Sequence, residues 1–77
     1  MDERERALAV FSGHLRKLRE ARSLSQERLS ELSGLNRNYV SDVERGRRNP
    51  CLFNIVKLAD GLNVSPSELF RPFDKKK

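Results

Sequence analysis

Tryptophan is absent from this chain of 77 residues, and cysteine, histidine and tyrosine occur once each. The single Cys51 excludes an internal disulfide, and one histidine beside one cysteine offers no ligand set for zinc. Both devices that usually staple small folds are therefore missing. No apolar run approaches the roughly 20 residues that cross a bilayer. The opening stretch Met1 to Arg6 is charged and has no apolar signal segment, so a cytoplasmic protein without membrane association is expected. No glycine-rich phosphate loop is present, and His14 sits on a helical pattern without the serine and acid that nucleophilic catalysis would need. The expectation is a non-enzyme that uses no metal and no cofactor. There are no internal repeats, and no segment alternates with period two for long enough to form a strand.

What the chain does contain is charge on an apolar frame. Sixteen Lys plus Arg stand against 11 Asp plus Glu, a net charge of +5, while 36% of the residues are apolar, enough for folding. This is the size of one small domain, read here as residues 1–73 with a short basic tail at 74–77 that is expected to be disordered. A chain this short buries only roughly 60% of its unfolded surface, so self-association is a natural way to enlarge the core. The positive charge is clustered. Residues 10–22 carry a net +3, 37–50 a net +2 and 71–77 a net +3, with −1 in each intervening stretch. Clusters at Arg16, Lys17, Arg19 and Arg22 and at Arg45, Arg47 and Arg48 suit contact with a polyanion, although a solvated helix face would also look like this.

Apolar spacing divides the chain into about five helices. Leu8, Phe11, Leu15, Leu18 and Ala21 repeat at helical intervals over 6–22. Ser25 can cap a second helix with Leu29 and Leu32 facing inward, although Arg28 in its first turn opposes the dipole. Gly34 permits a tight turn, and Asn36 caps a third helix that turns Val40 and Val43 inward and stops at Gly46. Leu52, Ile55, Val56, Ala59 and Leu62 mark a fourth helix, which Gly61 and Asn63 help to end. Ser65 and Pro66 open a short fifth helix anchored by Leu69 and Phe70. The fold class is all-α, a bundle of about five helices with two short ones joined by a glycine turn at its centre.

If Val40 and Val43 face the core, the third helix presents Arg37, Asn38, Ser41, Asp42 and Arg45 on its opposite side. Those side chains can read base edges. Arg pairs with guanine O6 and N7, Asn with adenine N6 and N7, Asp accepts from cytosine, and Ser is tolerant. Asp42 has two further readings, orienting Arg45 or repelling non-cognate sites.

The pieces L-R-K-L-R-E-A-R at 15–22, L-S-Q-E at 24–27, S-G-L-N at 33–36, V-E-R-G at 43–46 and L-A-D-G-L-N-V-S-P-S-E-L-F at 58–70 together carry a resemblance. The chain resembles the Cro and phage-repressor type of helix-turn-helix proteins, the XRE family, from about Phe11 to Phe70. Its 37–49 stretch is most similar to the controller proteins of restriction–modification systems. The resemblance implies a lambda-repressor-like fold and a homodimer that binds double-stranded operator DNA with two-fold symmetry, with RNA polymerase as a candidate partner. It places Arg37, Asn38 and Ser41 at base-reading positions, and Gln26, Tyr39, Arg47, Arg48 and Asn49 at or near phosphate-contacting ones. Arg28, where the family has an acid, joins the phosphate set. Arg19 and Glu44 match a pair that the family joins as a largely buried salt bridge. Ser30 replaces a customary alanine, and its hydroxyl needs a partner.

Late apolar residues have two readings. Phe53, Val56, Leu62, Val64 and Phe70 are candidates for a dimer seam or, equally, for closing the monomer's own core. Cys51 is read as a small packing residue, with redox sensing as the alternative. His14 is read as a surface residue. A different function class also stays open: an antitoxin or other interaction module that holds a partner protein through its C-terminal helices.

Overall fold

A computed structural model describes residues 1–75 as α1 (Glu3–Ala21), α2 (Gln26–Ser33), α3 (Arg37–Glu44), α4 (Leu52–Leu62), α5 (Pro66–Leu69) and a closing 3-10 turn (Arg71–Phe73). Part of the expected 74–77 tail lies outside the described residues. α1 begins three residues earlier than its apolar spacing predicts. Asp2 caps it by accepting from the Glu5 N–H at 2.8 Å, and Glu3 and Glu5 complement the positive end of the helix dipole. The next two caps form as the sequence suggests. Ser25 Oγ accepts from Arg28 N at 3.0 Å, and Asn36 Oδ1 accepts from Asn38 N at 2.8 Å. Gly34 between them takes φ +74°, which turns the chain out of α2 and aims α3 across it. At the start of α5 the expected cap is absent: Ser65 Oγ bonds Ser67 Oγ at 2.7 Å, and Pro66 opens the helix alone.

The core is assembled from Phe11 and Leu15 of α1, Leu29 of α2, Val40 and Val43 of α3, four residues of α4 and Leu69 of α5. Full burial of each leucine contributes about 1.5–3 kcal/mol. Gly61 is a correction to the sequence reading, because it lies inside α4 rather than ending it. A Cβ there would stand 3.0 Å from Leu29 Cδ1 and 3.1 Å from the Ser33 backbone nitrogen, so the missing side chain lets α2 and α4 cross closely. Asn63, in the left-handed region at φ +59°, ends the helix instead.

Other apolar residues also change place. Leu62 is 1% exposed and packs in the core, so it is excluded from any seam between copies. The α4 core stripe of Ile55, Leu58 and Leu62 follows i, i+3, i+7 spacing, which leaves no outward position for it. Val64 is half-buried against the same core. Phe70 meets Phe11 in a tilted contact, with ring centroids 6.0 Å apart, and Phe73 in another at 6.4 Å, so it closes the corner between α1 and the C-terminal turn. Leu32 turns outward at 44% exposure, because α2 meets α4 through Leu29 and Ser33, one turn apart. Ala21 and Cys51 are exposed as well, so Cys51 is not a packing residue.

Two polar side chains tie α1 to distant elements. Ser12, buried, donates to the Val43 carbonyl at 2.6 Å, a second bond on an acceptor near the end of α3 that the Gly46 N–H also reaches at 3.1 Å. His14 is half-buried rather than a surface residue, and its Nε2 donates to the Glu68 carbonyl at 2.7 Å.

Candidate nucleic-acid interface

Three helices meet at one buried carboxylate. Glu44, at the last turn of α3, accepts from Arg19 Nε at 2.6 Å and Arg19 Nη2 at 3.0 Å, a bidentate arrangement from α1. Gln26 Nε2, from the first turn of α2, adds a third bond at 3.1 Å, and Arg19 Nη1 reaches on to the Leu24 carbonyl at 2.7 Å. The pair's side chains are 11% and 2% exposed. Hydrogen bonding to Glu44 holds the Arg19 guanidinium above its ordinary pKa against the opposing effect of burial. The guanidinium therefore stays charged, and no buried side-chain polar atom among the described residues lacks a partner. Ser30 is half-buried, and its hydroxyl carries no stranded hydrogen-bonding group.

This junction sets the pose of α3. Its outer side, with Val40 and Val43 locked inward, displays Arg37, Asn38, Ser41, Asp42 and Arg45. All five, together with Gln26, line one open polar depression. Gln26 thus bridges two settings, bonded to the buried carboxylate on one side and lining the exposed face on the other.

The basic edge beside this face is organised around Tyr39. Arg48 lies over its ring, with Cζ 5.5 Å from the centroid, and Arg48 Nε stands 4.0 Å from Asp42 Oδ2. Asp42 therefore faces Arg48 rather than Arg45, so of its three readings the one that orients Arg45 is not the contact formed. Tyr39 Oη accepts from Asn54 Nδ2 at 3.0 Å, a link to α4 with little signal in the sequence beyond an amide in the helix's first turn. Arg47 and Asn49 are exposed in the connector, where the Arg47 N–H donates to the Asp42 carbonyl at 2.9 Å. Arg28, exposed on α2, pairs with Glu31 at 3.0 Å, both more than half exposed. Arg22, counted with the basic cluster of α1, instead turns back on the fold and donates to the Leu62 carbonyl at 2.8 Å.

A helix-turn-helix family model matches residues 15–69, well over half of the chain. The chain belongs to the XRE-type helix-turn-helix family. The regulator is 56% identical to the restriction–modification controller protein C.AhdI from Aeromonas hydrophila, whose crystal structure superposes with a TM-score of 0.82 over 83% of this chain and 97% of that one. It is 41% identical over 66 residues to the control protein C.MunI of a Mycoplasma species, covering 84% of this chain and 89% of the relative. Control protein C.BamHI of Bacillus amyloliquefaciens is 43% identical over 61 residues, 78% of this chain and 75% of its own. The regulator is thus a DNA-binding transcriptional regulator of helix-turn-helix type, close to controller proteins, and not an enzyme. Among the described residues, no helix is long and apolar enough to cross a membrane.

Proposed function

We propose that the regulator is the controller of a restriction–modification system and binds an inverted-repeat operator as a homodimer. One observation carries this reading: the five groove-reading side chains of α3 and Gln26 from the start of α2 line a single open depression. An α-helix fits the major groove, and the helices of a dimer enter successive grooves about 34 Å apart. Arg37, Asn38 and Ser41 read base edges, with Asp42 and Arg45 farther along the same face. Gln26, Arg28, Tyr39, Arg47, Arg48 and Asn49 hold the phosphates, which position the helix without carrying sequence information. The α4 flank supplies the seam between copies. Phe53 is 65% exposed and Val56 half-buried beside it, and Lys57 Nζ lies 4.6 Å from the Phe53 ring centroid. Residues 1–73 form the binding unit and 74–77 a basic tail. The regulator acts in the bacterial cytosol, with RNA polymerase as a further partner.

Selection of duplexes from a random pool, followed by binding across a salt series, tests the reading. A two-fold symmetric consensus and a steep fall of affinity with salt are expected, because several phosphates are neutralised. A flat salt response, or no enriched sequence, would overturn it. Within the consensus, Arg37→Ala relaxes preference at one base pair of each half-site, at a cost of about 1–3 kcal/mol.

A further inference from the structure

The Tyr39 edge contains an arrangement that base reading leaves unused. Asn54 of α4 donates to Tyr39 Oη at 3.0 Å, and among the described residues this is the hydroxyl's one hydrogen bond. A phenol offers one donor and two acceptor positions. Because the Asn54 amide occupies an acceptor position, the hydroxyl hydrogen is left for an outside acceptor. Above the ring, Arg48 is held over the π face 5.5 Å from its centroid, and its nearest carboxylate oxygen, from Asp42, is 4.0 Å away, too far for a hydrogen bond. Among the described residues its N–H donors are therefore also uncommitted. An O–H and a guanidinium stacked on one ring, both with donors to spare, make a two-pronged anion site.

The geometry points to Asn54 as a positioning residue that sets the Tyr39 hydroxyl and the Arg48 guanidinium as a clamp on one backbone phosphate of the bound duplex. This rests on the DNA-binding reading above. Asn54 acts twice. It fixes the tilt of the ring on which Arg48 rests, and it directs the Tyr39 proton outward. An ordered stack spares Arg48 part of the rotamer entropy that a free arginine loses when it docks. Asp42, facing Arg48 from the other side, limits how far the guanidinium swings in the free protein. An apolar isostere at position 54 would keep the side-chain bulk beside Tyr39 while removing the donor, which separates positioning from mere support.

The test is a double-mutant cycle on the duplex that the wild-type protein selects, with fluorescence anisotropy for binding, thermal melting for folding and sedimentation for self-association. Asn54→Leu is expected to weaken binding about fivefold, the span of one hydrogen bond, and by the same factor on single-base variants of the duplex. Tyr39→Phe is expected to lose a similar factor, and the double variant to stay within about twofold of Tyr39→Phe alone, since the two act through one hydroxyl. Losses that multiply in the double variant overturn the proposal. Unchanged affinity of Asn54→Leu, or a loss that vanishes once binding is expressed per dimer, also overturns it. Should the leucine variant fail to fold, Asn54→Ala takes its place in the same cycle. Failure of the wild-type protein to select any duplex would remove the DNA-binding reading itself, a result distinct from all of these.

Discussion

Two arginine–carboxylate pairs involve the last turn of α3, one through Glu44 and one through Asp42, and their settings differ sharply. Arg19 and Glu44 are buried and bidentate at 2.6 and 3.0 Å, with Gln26 and the Leu24 carbonyl completing the set. Arg48 and Asp42 are 4.0 Å apart, with side chains 59% and 37% exposed. The same residue chemistry thus serves two ends. A buried pair is costly to break because the partner left behind is a desolvated charge. An exposed pair contributes only about 0–1 kcal/mol and leaves its arginine free for another anion. Position in the fold, and not residue type, decides which arginine holds the helix and which faces the ligand.

Cutting the buried pair gives the largest expected effect. Glu44→Ala should destabilise the protein by about 3–5 kcal/mol, read by urea denaturation, because it strands the Arg19 guanidinium and frees Gln26. A loss below about 1 kcal/mol would erase the contrast between the two pairs. Arg48→Ala comes next and acts on binding alone. It should weaken all duplexes alike and lower the slope of log affinity against log salt by about one, with little change in melting temperature. Sequence-dependent losses would make Arg48 a base reader instead. Asp42→Ala should shift stability by only about 0.5 kcal/mol in either direction, as surface substitutions do. Smallest of all is the pH response of the Arg19 site. A guanidinium whose folded pKa is raised contributes fully below its unfolded value and loses that contribution only as pH climbs through the raised one. Urea titrations between neutral and mildly alkaline pH should therefore show no loss of stability assignable to Arg19.

Much of the helical plan was legible because it is local. Ser25, Gly34 and Asn36 act on their own turns, and each does what its chemistry suggests. The inward positions of Leu15, Leu29, Val40 and Val43 follow from periodicity. Where the reading failed, the deciding partner lay far along the chain. Gly61 looks like a helix terminator until Leu29 and Ser33 are seen to press against it from another helix. Leu32 and Leu62 have similar apolar credentials, yet one is outside and the other at the centre. Periodicity names a stripe but not its edges, and the edges depend on which neighbour packs where. Ser12 and His14 carried no signal at all, since each bonds a backbone carbonyl 31 and 54 residues away, respectively. Asn54 was missed for the same reason.

The sequence by itself determined the elements of this regulator: an all-α chain without staples, a glycine turn between two short helices, and a third helix with groove-reading side chains opposite its apolar ones. Short-range sterics, capping and periodicity are enough for that, because each acts within a turn or two of the chain. Only the tertiary structure decided how the charge of +5 is divided. It bound Arg19 to Glu44, turned Arg22 back on the Leu62 carbonyl and set Arg48 over Tyr39. That division rests on desolvation and on partners brought together from separate helices, and neither exists until the chain has folded.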